Sequence, residues 1–354
     1  MLSNENKFYI SFGISFLIGL FLVRKYVGIQ ASHVGYATFF IYGFYLIMAA
    51  YFYFKLKKPW SVFIAVAISS FMTIILFVPF TTSYAVSLSQ PPILDNNWWE
   101  ALNWIKNNTK ECAVIATYWD PGHFIRAIAE RPVVFDGATQ NAKLYEHIKN
   151  RTIVRSRIQD IATVLYTSNE TKAVEILKHY KMPNCSEMYF IASSDLIGKS
   201  HWWIYFSTWD PKTHTGKKSS YYYARLTGKK PMLSGNGTQY IYNNMFMVIK
   251  EGKKMIPYMI YNGNQYSTTP YKIEKIFYFD NYTGYVQYSD NPQIKGMLYL
   301  TPDMNIAFFI PEEIENSMFT RMFFFNGAGL NDFKLVKNFG GEVKLFKVEF
   351  NETE

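Results

Sequence analysis

Apolar and polar positions are unevenly spread along this chain of 354 residues. Residues 8–23, 34–54 and 61–80 are apolar runs without a charged side chain, the third broken only by hydroxyls and by Pro79 near its end. A helix needs about 20 largely apolar residues to cross a bilayer, so the pattern predicts three transmembrane helices within residues 1–90. From residue 98 the pattern changes. Apolar positions at helical spacing over 98–106 predict a helix that stops at Asn107-Asn108-Thr109, and 113–116 is a short strand-type run. Residues 124–129 suit a helix, 131–135 a strand closed by Asp136-Gly137, 142–165 and 171–179 helices, and 189–192 a strand. Such alternation predicts an α/β domain over 91–217. Beyond about residue 218, Tyr, Ile, Val and Phe runs punctuated by Gly, Asn and Pro, as in 240–249, 275–288 and 333–350, predict a β-rich C-terminal module over 218–354.

Composition excludes several classes. The chain is 49% hydrophobic, 19% aromatic and 18% charged, which is enough apolar material for a core and too much for global disorder. Its formal charge of +9 is diffuse. No block of bases forms a stripe, so a nucleic-acid partner is not expected. Cys112 and Cys185 lack metal-type spacing, and whether they pair is open at this stage.

The loops between the apolar runs set an orientation. Arg24 and Lys25 follow the first run directly, with no small-x-small cleavage site, which favours a span over a signal peptide. Lys55, Lys57 and Lys58 lie between the second and third and mark that loop as cytoplasmic. The chain is then an integral membrane protein whose C-terminal domain is extracellular. Asn-x-Ser/Thr sequons at Asn107, Asn150, Asn169, Asn184, Asn236, Asn281 and Asn351 are compatible with an exported domain.

The candidate chemistry sits at the start of the polar region, in Tyr118-Trp119-Asp120-Pro121-Gly122. Two aromatic rings offer O–H and N–H donors, the carboxylate accepts, and Pro-Gly fixes the turn that presents them. By itself the run also suits a packed aromatic corner with a capping Asp. Asp195 and Lys199 read either as further site residues or as a helix N-cap with an i,i+4 ion pair. Gly198-Lys199-Ser200 is not a phosphate loop, because the position five residues before Gly198 is Ser193 rather than Gly. His123 reads as structural.

Trp98-Trp99-Glu100-Ala101-Leu102-Asn103-Trp104-Ile105-Lys106, then the 118–122 motif, then Arg131-Pro132-Val133-Val134-Phe135-Asp136-Gly137 form an ordered set. This set resembles the catalytic subunit of oligosaccharyltransferase, in its archaeal branch. The family's pentapeptide is Trp-Trp-Asp-Tyr-Gly; here Tyr118 replaces the first Trp and Pro121 the Tyr, while Trp119, Asp120 and Gly122 are unchanged. Ser194-Asp195-Leu196-Ile197-Gly198-Lys199 is similar to its second motif, with Asp-x-x-x-Lys in place of Asp-x-x-Lys, and the tail from Phe319-Thr320-Arg321 to Gly340-Gly341-Glu342-Val343-Lys344 also matches. The resemblance covers about residues 60–354.

The resemblance implies transfer of a lipid-linked oligosaccharide onto the Asn of Asn-x-Ser/Thr in an acceptor polypeptide. Tyr118, Trp119, Asp120 and Gly122 would bind the sequon hydroxyl, supported by Asp195 and Lys199. It also implies a divalent metal, Mn or Mg, held by carboxylates of an N-terminal membrane half with many more spans. Hard cations need oxygen ligands, and residues 1–95 offer only Glu5 and Asp95, so no catalytic or metal ligands are assigned here. The expectation is the C-terminal part of the enzyme, with a separate chain supplying the remaining spans. The alternatives are a non-catalytic, membrane-anchored sequon-binding subunit and a truncated remnant.

Overall fold

A computed structural model describes residues 94–148, 151–227, 232–234, 237–261 and 266–350. The chain divides into two units, Met1–Asp95 and Asn96–Glu354. Among the described residues no helix is long and apolar enough to cross a membrane; the three predicted spans lie outside them.

Helix α1, Asn96–Asn108, buries Trp98, Ala101, Leu102 and Ile105, which are spaced i, i+3, i+4 and i+7 and so form one apolar stripe. Strand β1, Val114–Ala116, follows, and then a single turn α2, Gly122–Phe124, that widens into a π-helical turn, Ile125–Ala129. The predicted strand at 131–135 is reduced to one parallel bridge between Val133 and Ile115.

The predicted helix at 142–165 is corrected in its first half. Strands β2, Lys143–Ile148, and β3, Arg151–Ser156, pair as an antiparallel ribbon from Lys143↔Ser156 to Ile148↔Arg151, and helix α3 begins at Arg157 and ends at Tyr166. The β-branched run Thr152-Ile153-Val154 favours strand over helix, and the helical signal of α3 had been extended backwards across it.

Helix α4 spans Glu170–Lys178, strand β4 Met188–Ser193, the single turn α5 Asp195–Gly198, and helix α6 Ser200–Ser207. Strand β4 is buried at every position, as befits a central strand covered on both faces.

The β-rich part consists of β5 Tyr222–Arg225, β6 Met232–Ser234, β7 Gly237–Tyr242, β8 Phe246–Glu251, β9 Lys254–Tyr261, β10 Tyr266–Asp280, β11 Thr283–Tyr288, β12 Ile294–Leu300 and β13 Ile306–Pro311. They pair in the order β5-β13-β12-β10-β9-β8-β7-β6, with β11 folded onto β10. The chain then forms α7, Glu312–Glu315, and α8, Met318–Phe323, before β14, Phe333–Phe339, and β15, Val343–Val348.

These last two strands leave the β-rich sheet and complete the first one, whose order is β1-β4-β15-β14. Val343↔Ser193 through Val348↔Met188 set β15 antiparallel to β4, while β1 runs parallel to it. The stretch from 218 onward is therefore divided between two sheets. The division follows from burial: Phe346 and Val348 join Phe190, Ala192 and Phe319 in one core that also takes in Met297, Tyr299 and Ile310 of the larger sheet.

Candidate functional site

The site lies where parallel strands end. Because β1 and β4 run the same way, Thr117–Gly122 and Ser194–Lys199 leave the sheet at the same edge, the position at which crossovers in open α/β sheets create a crevice. Val133, bridged to β1 in parallel, brings Asp136 to that edge too. Thr117 ties the first two segments together by donating its hydroxyl to the Ile191 carbonyl, 3.1 Å away in the core.

Three of the sequence-predicted residues meet in one ion cluster. Lys199 Nζ lies 3.1 Å from Asp120 Oδ1 and 2.7 Å from Asp195 Oδ2, and Ser193 donates its hydroxyl to Asp195 Oδ1 at 2.5 Å. Burial alone would lower the Lys199 pKa, but Asp195 and Asp120 outweigh it and raise it. The i,i+4 spacing of Asp195 and Lys199 works because α5 is a single turn with Lys199 at its end, placing the two side chains on one face. The ion-pair reading of these two residues and the site reading are thus compatible.

Asp120 Oδ2 is buried and has no hydrogen-bond partner. Among the described residues only Arg157 Nε shares that condition. An unmet buried acceptor costs about 1–3 kcal/mol, so this carboxylate is clamped on one oxygen and unsatisfied on the other. Tyr118 lies behind it, 2% exposed, with its ring edge-on to Phe135 at 6.2 Å between centroids. Burial first, and the Asp120 charge second, push the Tyr118 hydroxyl far above its usual range, opposed by a hydrogen bond from the Trp119 side chain. Trp119 is half-buried against the same core.

Gly122 acts by absence of a side chain. A Cβ there would stand 2.7 Å from both the Asp136 Cβ and the Phe135 carbonyl oxygen, so the motif turn packs directly on the neighbouring segment. Its turn is closed by the Gly122 N–H donating to the Trp119 carbonyl at 3.1 Å and the Ile125 N–H donating to Pro121 at 3.0 Å.

Sequence reasoning assigned no role to several supporting groups. Asp136 is 1% exposed. It accepts from Arg126 at 2.8 Å and, on its other oxygen, from the Ala138 and Thr139 amides and the Thr139 hydroxyl, and His123 Nδ1 is 3.9 Å away. Burial pulls its pKa up, but Arg126 and Thr139 overcome this and hold it at about 2. His123 is thus a rim group beside a structural carboxylate. Arg131 is buried and spends its guanidinium on Thr109 Oγ1 and on the carbonyls of Lys106, Thr109, Ala129 and Glu130, joining the ends of α1 and the π-helical turn. Glu342, on the β14–β15 turn, accepts from Asn97 at 2.9 Å, and its carbonyl accepts from the Ser194 amide at 2.8 Å. The 131–137 run and Glu342 stood out only as parts of the resemblance; their partners are separated by too much sequence for spacing to reveal.

Cys112 and Cys185 form a disulfide, Cα–Cα 6.1 Å, which ties the segment before β1 to the segment before β4. Among the described residues no group of three His, Cys, Asp or Glu could hold a metal ion. The two carboxylates that converge already share an ammonium, so the donor set does not fit Mn or Mg.

No protein-family model matches the chain. It is similar to a dolichyl-phosphooligosaccharide-protein glycotransferase of Methanocaldococcus jannaschii, at 24% identity over 94% of this chain and 44% of that one. A second such glycotransferase, from Pyrococcus horikoshii, is 26% identical over 75% of this chain and 30% of that one. The solved C-terminal domain of C. jejuni PglB aligns with 71% of this chain and 99% of that domain, at 14% identity and a TM-score of 0.45. The curated relatives are of the archaeal oligosaccharyltransferase kind that the ordered motifs resemble. This chain spans less than half the length of the curated relatives it matches.

Proposed function

We propose that this chain is the C-terminal part of an oligosaccharyltransferase, in which the edge formed by 117–122 and 194–199 reads the hydroxyl of an Asn-x-Ser/Thr sequon. The observation that carries this is the buried, unpartnered Asp120 Oδ2. A Ser or Thr hydroxyl has one proton to give and lone pairs to receive. Asp120 Oδ2 takes that proton as a hydrogen bond, and the Trp119 indole N–H turns from Tyr118 to donate to the hydroxyl oxygen. Lys199 holds the other Asp120 oxygen and so fixes which lone pairs face the acceptor peptide. Tyr118 forms the back of the pocket and Gly122 allows its close packing. A peptide without the hydroxyl leaves Asp120 unpaired, and that is the source of discrimination.

The relatives' name supplies the donor class, a dolichyl-phosphooligosaccharide. The divalent ion implied by the resemblance does not fit the described residues and would be held elsewhere, by the N-terminal part or by a separate chain. The three apolar runs anchor the chain in a membrane with the domain outside. The disulfide supports an oxidising compartment.

A second reading, a membrane-anchored sequon-binding subunit without catalysis, uses the same pocket. Glycan transfer to the bound peptide, beyond binding alone, would favour the enzyme.

The test is binding of an Asn-Ala-Thr peptide to the full chain in detergent micelles, against Asn-Ala-Ala and against Asp120→Ala. Hydrogen bonds to a charged group are worth about 1.5–3 kcal/mol, so selectivity of roughly tenfold or more is expected, lost in Asp120→Ala. Equal binding of both peptides at every concentration would remove the hydroxyl-pocket reading.

A further inference from the structure

Four of the chain's own sequons have all three residues described: Asn107-Asn108-Thr109, Asn169-Glu170-Thr171, Asn184-Cys185-Ser186 and Asn281-Tyr282-Thr283. An acceptor must offer its Asn amide and its +2 hydroxyl at once, on backbone that can leave the fold at low cost. Three of the four do not meet this. Asn107 lies within α1, and the Thr109 hydroxyl is spent, donating to Ile105 at 2.7 Å and accepting from Arg131 at 2.9 Å. Asn169 caps α4, its side chain accepting from the Lys172 amide at 3.1 Å. Asn184 is followed by a buried Cys185 held in the disulfide and bonded through its amide to Met182.

Asn281 differs on each count. It is the first residue of the two-residue turn joining β10 to β11, where Asp280 pairs with Thr283. Residues 280–286 are exposed without interruption, and Tyr282 is 94% exposed. Among the described residues no side-chain hydrogen bond engages Asn281 or Thr283. The turn puts Asn281 at φ 47° and Tyr282 at φ 64°. Asn tolerates that left-handed region, whereas Tyr is strained in it. Opening the last ladder pair therefore relieves strain and needs no core contact to break. Hairpin tips of this kind are where backbone opens first.

We propose that Asn281 is a glycosylation site of this protein, modified on the folded domain from a lipid-linked oligosaccharide. In the transfer, the bond between the sugar anomeric carbon and the lipid phosphate oxygen breaks, and a bond from that carbon to Asn281 Nδ2 forms. The departing lipid phosphate keeps the electron pair, and one amide proton is released to solvent. The donor class rests on the reading above, but the inference does not require this chain to be its own catalyst.

The experiment is glycopeptide mass spectrometry on the full chain isolated from the membranes of cells that produce it. The Asn281 peptide should carry glycan, while the Asn107, Asn169 and Asn184 peptides are largely bare. Asn281→Gln and Thr283→Ala should abolish the modification and Thr283→Ser should keep it, all three at an exposed turn where folding is not at issue. A bare Asn281 in cells whose other exported proteins carry Asn-linked glycans overturns the inference, as does equal occupancy at all four sites. Asp120-dependent peptide selectivity together with a bare Asn281 overturns this inference alone; absence of Asn-linked glycans from every exported protein overturns both.

Discussion

The two sheets of Asn96–Glu354 organise polar groups in opposite ways. In the four-stranded sheet, parallel strands end side by side, and their crossover segments bring Asp120, Lys199, Asp195, Ser193 and Asp136 to one edge. In the nine-stranded sheet, consecutive strands from β6 to β11 are antiparallel neighbours. Its core is Tyr242, Phe246, Val248, Ile276, Leu298 and Phe309. Its buried hydroxyl at Tyr242 is met by the Met304 carbonyl at 3.0 Å, its mostly buried Lys275 is paired with Glu315 at 2.8 Å, and the ion pairs Lys254–Asp290 and Lys295–Glu312 sit on exposed ground. Parallel topology thus concentrates unsatisfied chemistry at one place, whereas hairpin topology satisfies each strand locally and leaves its tips free, as at Asn281.

The largest test of this contrast is the disulfide. A cross-link closing a loop of 73 residues should contribute about 4 kcal/mol by loop entropy. Cys112→Ser with Cys185→Ser should lower stability by roughly that amount in chemical denaturation. If only the first sheet's spectroscopic probes shift, the two sheets unfold separately despite their shared core.

Next comes packing at the motif turn. Gly122→Ala drives a Cβ against backbone and should cost about 1–3 kcal/mol, whereas Gly198→Ala, with nothing within 4 Å of its Cβ, should leave the melting temperature nearly unchanged. Equal effects would mean that the turn does not pack as described. At the edge itself, Lys199→Met should impair selectivity for the hydroxyl peptide with little change in affinity for the Asn-Ala-Ala control; parallel loss of both would make Lys199 a purely structural cation.

The smallest effects are pH-dependent. Asp136 is held at about 2, below its ordinary 3.8, so its contribution is complete above about pH 4 and lost as pH falls toward 2. Asp136→Asn should flatten the acid limb of a stability profile. Lys344 gives a slope of the same sign at higher pH, because its pKa is lowered too. Burial lowers it from 10.5 to about 8, though its ammonium donates to Asn326 at 2.7 Å and to the Phe323 carbonyl. The unfolded chain binds more protons between those values, so stability should rise from about pH 8 to 10.5, and Lys344→Met should remove that rise.

Local signals carried well where burial and period agree. The α1 stripe, the strand at 188–193 and the helix at 170–178 lie close to where the apolar pattern puts them. They failed at 143–156, where the polar residues interspersed through the ribbon gave no clear period, and at 131–135, where a single bridge does the work of a strand. The six residues proposed for the site stood out in the sequence because residue type and order suffice to mark a motif. Arg126, Asp136 and Thr139 were not, since a carboxylate's role depends on which cation reaches it.

By itself, then, the sequence determined the segment types, the motif and its chemical inventory, because propensity, period and side-chain chemistry are local properties. Tertiary structure alone decided that Lys199 clamps one oxygen of Asp120 and leaves the other bare. It also decided that the last two strands return to the first sheet and that, among the four described sequons, Asn281 is the one left open at a hairpin turn. Each of these depends on which distant segments the burial of apolar surface brings together, and no local pattern encodes that choice.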